Sequence, residues 1–154
     1  MGIKSYIGKR VKPTKGSSEN IKVSDYMSTN LTVFRPEQSV LEVMNTLIKK
    51  KISGGPVVND KNELVGIISE GDCMKQISSS RYHNHPMQDV KVEEHMAKDV
   101  ETIDGNMNVF DAADKFLTAR RRRFPIVQDG KLVGLISQKD VLKAAIELKG
   151  NNWK

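Results

Sequence analysis

Apolar positions recur along this chain in two rhythms, and the pair of rhythms is written twice. Val40, Met44 and Leu47 fall at i, i+4 and i+7, the spacing of one helix face. Two β-branched runs follow, Pro56-Val57-Val58 and Leu64-Val65-Gly66-Ile67-Ile68. They are too short for helices and are bounded by polar turn residues, so they read as strands. The series then returns as Val109, Ala113 and Phe116, as Pro125-Ile126-Val127 and as Leu132-Val133-Gly134-Leu135-Ile136. The copies match at an offset of 69 up to the first strand run and at 68 from Gly66, Ser69 and Asp72, which meet Gly134, Ser137 and Asp140. One residue has been lost from a turn. Val23-Ser24-Asp25-Tyr26-Met27 opens the first copy and Val92-Glu93-Glu94-His95-Met96 the second. A match spanning nearly all of residues 23–145 marks an internal duplication.

Each copy predicts the same elements. A short extended piece, Leu31-Thr32-Val33 or Val100-Glu101-Thr102, precedes the first helix. Ser39 and Asn108 stand at its N-cap, with Glu42 and Asp111 three residues on, the arrangement of a capping box. The two strands are joined by Asn59-Asp60-Lys61-Asn62-Glu63 in the first copy and by Asp129-Gly130-Lys131 in the second, where Asp-Gly between apolar runs signals a hairpin. A second helix starts at Ser69 or Ser137. The order is β-α-β-β-α, twice, an α+β fold. One unit of roughly 55 residues would be marginal alone. Two units packed about a pseudo-two-fold axis share a core and form two equivalent clefts. The expected organisation is a leader at 1–22, repeat 1 at 23–77, a connector at 78–91, repeat 2 at 92–147 and a tail at 148–154.

Charge adds little to this picture once it is located. The net charge is +6, from 25 Lys and Arg against 19 Asp and Glu. Residues 1–22 hold Lys4, Lys9, Arg10, Lys12, Lys15 and Lys22 with Glu19 as their one acid, so the body of the chain is close to neutral. The leader has few apolar residues to offset ordering entropy and is expected to be flexible and solvated. No apolar run approaches the roughly 20 residues of a membrane helix, and MGIKSYIGKR lacks a signal-peptide core. Cys73 has no cysteine to pair with. The expected setting is cytoplasmic, with no membrane partner. His83, His85, His95 and Cys73 are metal-capable types, but His-x-His beside Pro86 reads as ordinary loop, so no metal site is expected. No P-loop, nucleophile elbow, HExxH or CxxC motif is present. The methionines, mostly at repeat starts and helix apolar positions, read as core.

The Val-x-x-x-Met start, the Pro-Val-Val strand and the duplicated Gly-h-h-Ser-x-x-Asp motif (h apolar) at 66–72 and 134–140 together resemble a tandem pair of cystathionine-β-synthase (CBS) domains, the Bateman module. The resemblance covers residues 23–145. It implies two βαββα CBS repeats, no catalysis, no required cofactor, and a regulatory pocket for adenosyl ligands such as AMP, ADP, ATP or S-adenosylmethionine. It also implies a homodimer and a regulated protein partner.

On the residues alone, Ser-x-x-Asp at a helix start has a structural explanation, with Ser69 and Asp72, or Ser137 and Asp140, capping each other. The same geometry suits a ligand. A helix N-terminus favours phosphate, and a carboxylate accepts from the paired hydroxyls of a ribose. The resemblance assigns Asp72 and Asp140 to ribose, with Ser69 and Ser137 near the sugar or phosphate. The two clefts differ. Ile52-Ser53-Gly54-Gly55 precedes the first strand of repeat 1, where repeat 2 has Arg121-Arg122-Arg123-Phe124. Glu70-Gly71 is likewise replaced by Gln138-Lys139. In nucleotide-sensing members of the family a His-Arg pair before this strand contacts phosphates, and Arg122-Arg123 occupies that place with Arg for His. Arg121, Arg122, Arg123 and Lys139 are thus the candidate phosphate ligands. Four successive arginines cannot share one side of a helix, and Arg120 is expected to face solvent. Around the first cleft, Ile52 and Gly54 are the candidates, its glycines either admitting a ligand closely or permitting a tight turn. The competing readings are an interaction module whose motifs are only caps, and a nucleic-acid binder using the leader and arginine run, which would require steep salt dependence. Nucleic acid is not the expected partner.

Overall fold

The computed structural model describes residues 21–83 and 89–152. Residues 1–20 of the leader, residues 84–88 of the connector and the last two residues lie outside this description, and with them the expectation of a flexible leader. A 3-10 turn at Val23–Asp25 leads to α1 (Val40–Lys50), β1 (Gly54–Val58), β2 (Leu64–Ser69) and α2 (Glu70–His83). A second turn at Val92–Glu94 leads to β3 (Ile103–Asp104), α3 (Val109–Ala119), β4 (Arg123–Gln128), β5 (Lys131–Ser137) and α4 (Gln138–Asn152). The chain is a mixed helix and strand fold in two repeats. β1 and β2 pair with each other, and the second sheet has the order β3-β4-β5.

Local chemistry explains most boundaries. Ser39 Oγ accepts from Glu42 N (3.1 Å) while Ser39 N donates to Glu42 Oε1 (3.2 Å), the box that starts α1. Asn108 Oδ1 accepts from Phe110 N at 2.7 Å, one residue earlier than the box geometry. Both helices bury matching stripes, Val40, Val43, Leu47 and Val109, Ala112, Phe116, so Val43 and Ala112 lie deeper than the Met44 and Ala113 of the sequence reading. Both end on a left-handed residue, Lys51 (φ 58°) and Arg120 (φ 56°), whose N–H bonds the carbonyl of Leu47 or Phe116. Asp129 (φ 52°) and Gly130 (φ 79°) are both left-handed, the requirement of a two-residue type I′ hairpin. The longer turn of repeat 1 is organised by Asn59 Oδ1, which accepts from Lys61 N (2.9 Å) and Glu63 N (3.0 Å).

Two boundaries differ from the sequence reading. The extended pieces expected at 31–33 and 100–102 pair instead at Phe34, bridged in parallel to Val57, and at β3. Phe34 and Ile103 are the buried side chains there, whereas Val33 is 39% exposed. α2 also continues to His83, through the first residues given to the connector.

The compact units are not the repeats. Among the described residues, one consists of Thr29–Thr102 with Val127–Gly134, the other of the residues up to Ser28, Ile103–Ile126 and those from Leu135 onward. In the first, the opening segment of repeat 2 lies on the body of repeat 1. Ile67 and Ala97 exchange backbone bonds of 2.9 and 2.8 Å, and Val92 N donates to Gln38 O at 2.8 Å. Val90 and Val92 share a core with Phe34, Val40, Val43, Leu47, Val57, Ile68 and Cys73. In the second unit, Val23 N donates to Met107 O (2.8 Å), and Ser28 and Leu135 exchange bonds of 2.8 and 3.0 Å. Lys22, assigned to the leader, is bridged to Asn108. Tyr26 Oη donates to Glu147 Oε1 at 2.6 Å, and that bond, with burial second, raises the Tyr26 pKa to about 12. The exchange also accounts for the glycine of the repeated motif. A Cβ on Gly66 would lie 2.6 Å from Met96 Sδ and 2.8 Å from Ala97 O, so any side chain would expel the crossing segment. No helix among the described residues is long and apolar enough to cross a membrane.

Candidate functional site

β2 and β5 each deliver a serine to the start of a helix. Asp72 Oδ2 accepts from Ser69 N at 2.9 Å and from Ser69 Oγ at 3.1 Å. Asp140 Oδ2 accepts from Ser137 N at 2.8 Å and Ser137 Oγ at 3.0 Å, and Ser137 Oγ accepts from Asp140 N at 3.2 Å. The motif is a cap in both repeats. All of these bonds fall on Oδ2, and Oδ1 of neither aspartate bonds a described residue. Each half-buried carboxylate is therefore fixed by one oxygen and offers the other as an acceptor.

The segments before β1 and β4 close on these helix starts. Ser53 O accepts from Glu70 N at 2.9 Å. In repeat 2, Arg122 O accepts from Gln138 N at 3.3 Å and Arg121 O from Gln138 Nε2 at 3.2 Å. The fold thus brings Ile52 and Gly54 to Ser69 and Asp72, with Gly54 opposite Ser69 in the strand register. It brings Arg121, Arg122 and Arg123 to the start of α4, where Ser137, Lys139 and Asp140 sit. Arg121, Arg122, Arg123 and Lys139 are exposed, as is Glu70 at the first site.

Three expectations change at this level. The arginines do not share a helix: α3 stops at Ala119, Arg120 is its left-handed C-cap, and Arg123 opens β4. Arg120 is exposed as expected, and so are the three that follow it. The glycines of repeat 1 are required by packing. A Cβ on Gly54 would meet Ile68 O at 2.7 Å, and one on Gly55 would meet Thr32 O at 2.8 Å and the Phe34 ring at 3.0 Å. Finally, Met74 is not core, being 66% exposed.

Met74 belongs to a feature the sequence reading missed. α1 and α2 frame an apolar groove of about 690 Å³ lined by Met44, Leu47, Ile48, Cys73, Met74 and Ile77, with Lys51, Ile52, Ser53 and Glu70 also on its wall. Burial, then the carboxylates of Asp72 and Glu70, pushes the Cys73 thiol pKa up, away from the reactive thiolate. The signal was present as Ile48 and Met74, apolar residues off the buried stripe. Leu117 and Leu142 are their counterparts on α3 and α4 and are likewise exposed.

The family model for the CBS domain matches residues 23–79 and 92–147. The chain belongs to the CBS-domain family. The CBS domain-containing protein CBSX2 of Arabidopsis thaliana is 31% identical over 82% of this chain and 64% of its own length. A crystal structure of CBSX2 in complex with AMP superposes with a TM-score of 0.71 at 30% identity, covering 84% of this chain and 98% of that one. The CBS pair of protein MJ0100, in complex with 5′-methylthioadenosine and S-adenosyl-L-methionine, gives a TM-score of 0.66 at 25% identity, covering 82% and 96%. Protein MJ1225 of Methanocaldococcus jannaschii is 28% identical over 87% of this CBS pair, which spans 45% of MJ1225's length.

Proposed function

We propose that this CBS pair is a non-catalytic regulatory sensor that binds an adenine nucleotide (AMP, ADP or ATP) at the start of α4. The observation that carries the reading is the juxtaposition there of Asp140, held by one oxygen with the other available, and the exposed cations of Arg121, Arg122, Arg123 and Lys139. The carboxylate accepts from ribose hydroxyls and the guanidinium groups take the phosphates, each as charge-assisted hydrogen bonds. The AMP and S-adenosylmethionine complexes of similar CBS pairs support an adenosyl ligand. At the start of α2, Ile52, Gly54, Ser69 and Asp72 repeat the ribose half of this arrangement without the arginines, which suits an adenosyl group lacking phosphates.

Calorimetric titration with AMP and adenosine tests the reading. Arg123→Ala is expected to weaken AMP binding by roughly 10- to 100-fold, the worth of hydrogen bonds to a charged group, and to leave adenosine binding nearly unchanged. Equal losses for both ligands, or no AMP binding to the parent chain, would overturn it.

The proposed partners are a second copy and a regulated protein. The duplicated helix faces bearing Ile48 and Met74, or Leu117 and Leu142, give a second copy matching apolar surfaces. Sedimentation should show a dimer, and Ile48→Glu should dissociate it.

A further inference from the structure

The two caps are the far ends of two strands that start at one place. β2 runs from Leu64 to Ser69, and β5 from Lys131 to Ser137. Just before β2, Asn62 forms a reciprocal clasp with the start of β5: Leu132 N donates to Asn62 O at 3.0 Å, and Asn62 Nδ2 donates to Leu132 O at 2.9 Å. Lys131 Nζ donates to Lys61 O at 2.6 Å, and Glu63 is bridged to Lys131 in antiparallel fashion. Asn62 is held left-handed at φ 62°, a conformation that asparagine tolerates better than most residues. Asn59, by accepting from the Lys61 and Glu63 amides, fixes the turn from the other side.

We infer that the Asn62–Leu132 clasp couples the Ser69–Asp72 and Ser137–Asp140 caps, so that a change at one helix start is felt at the other through β2 and β5. A strand is a short rod whose residues are fixed by their ladder bonds. A small displacement of Ser137 along β5 is resisted at Leu132 by two backbone-directed bonds, and whatever is not absorbed there is delivered to β2. Asn62 is a positioning residue in this scheme: it touches neither cap. The coupling belongs to the unliganded fold. Its use for sensing rests on the nucleotide reading given above.

Amide hydrogen exchange tests the coupling without a ligand. Asp140→Ala removes the acceptor of the second cap, and Asp140→Asn serves if the alanine variant does not fold. Either is expected to raise exchange of the Ser69 N–H by roughly two- to tenfold, the lower part of the span of interaction energies between linked residues, while helix-interior amides of α1 do not change. In an Asn62→Gly, Lys131→Met background, which keeps the left-handed backbone and the Leu132 N bond to the carbonyl of residue 62 but removes both side-chain bonds, the Asp140 substitution should raise Ser69 exchange by less than half as much. An unaltered Ser69 N–H in the single variant, or the same rise in both backgrounds, would overturn the inference. A parallel arm with AMP separates the two ideas. Absence of AMP binding refutes the nucleotide reading alone, and the exchange result still decides the clasp.

Discussion

Phe34 in repeat 1 and Phe124 in repeat 2 are both fully buried, yet they stand at non-equivalent positions of the duplicated sequence. Repeat 1 places its ring at Phe34 and leaves glycine at 55, whose added Cβ would sit 3.0 Å from that ring. Repeat 2 reverses the pair, with Ile103 at the Phe34 position and Phe124 at the Gly55 position, its ring 4.9 Å from that of Phe116. Large and small have been exchanged across one strand pair while the fold around them stayed the same. The pattern of apolar positions specifies a repeat, and the distribution of volume within it can drift as long as it is conserved locally. The exchange also has a functional side. Repeat 1 carries glycine at both 54 and 55, and a Cβ at 54 has no room; repeat 2 carries Arg123 and Phe124 there. A cation at this position is compatible with the second repeat and not with the first.

The largest effect should come from breaking that exchange. Gly55→Phe puts a second ring against Phe34 and is expected to cost about 3 kcal/mol or more, the upper range of overpacking. Gly55→Phe with Phe34→Ile, which copies repeat 2, should recover at least half of the loss in urea unfolding. If the double variant is no better than the single one, the two repeats do not pack by the same rule.

Next in size is the charge asymmetry. Ser53→Arg, which copies Arg122 without disturbing Gly54, is expected to strengthen AMP binding at the first site by roughly tenfold, as one charge-assisted contact should. Gly54→Arg should instead destabilise the fold, and a gain in AMP affinity without loss of stability would contradict the packing argument.

Cap removal is smaller and should be unequal. Asp72→Ala and Asp140→Ala are each expected to cost about 0.5–2 kcal/mol. The second should cost less, because Ser137 Oγ also accepts from the backbone N–H of residue 140, a bond that survives the substitution. Thermal unfolding of the two variants side by side checks the order.

The smallest difference lies between Tyr26 and its counterpart His95. Tyr26→Phe removes the bond to Glu147 and should cost about 1 kcal/mol near neutral pH, the usual net worth of a hydrogen bond. The folded pKa of Tyr26 is raised to about 12 from 10.0. The unfolded chain therefore ionises first, and stability present below pH 10 is lost as the pH rises towards 12. The Phe variant should lack that part of the alkaline decline.

Much of this is legible in the sequence. The 3.6-residue and strand rhythms located α1, α3 and both hairpins, because amphipathic burial is written locally. Asp129-Gly130 named its own turn, since few other pairs accept two left-handed residues in succession. The Ser-x-x-Asp caps were legible for the same reason: serine, aspartate and the helix start are all within four residues. So were the residues grouped at each helix start, because β1 and β4 begin a fixed distance after α1 and α3. What the sequence could not decide is where distant segments cross. By sequence alone the Val-x-x-x-Met openings belong with the repeats they begin. Only the tertiary structure shows Val92 and Met96 on the core of repeat 1, and Val23 paired to Met107. The glycine at 66 has no local reason at all; Met96 and Ala97, thirty residues on, require it. The same holds for the clasp at Asn62, seventy residues from Leu132, and for the groove under Met74, an apolar residue that local rhythm assigns to a core. Short-range patterning fixes which face of an element is apolar; which other segment covers that face depends on chain packing that no local window contains.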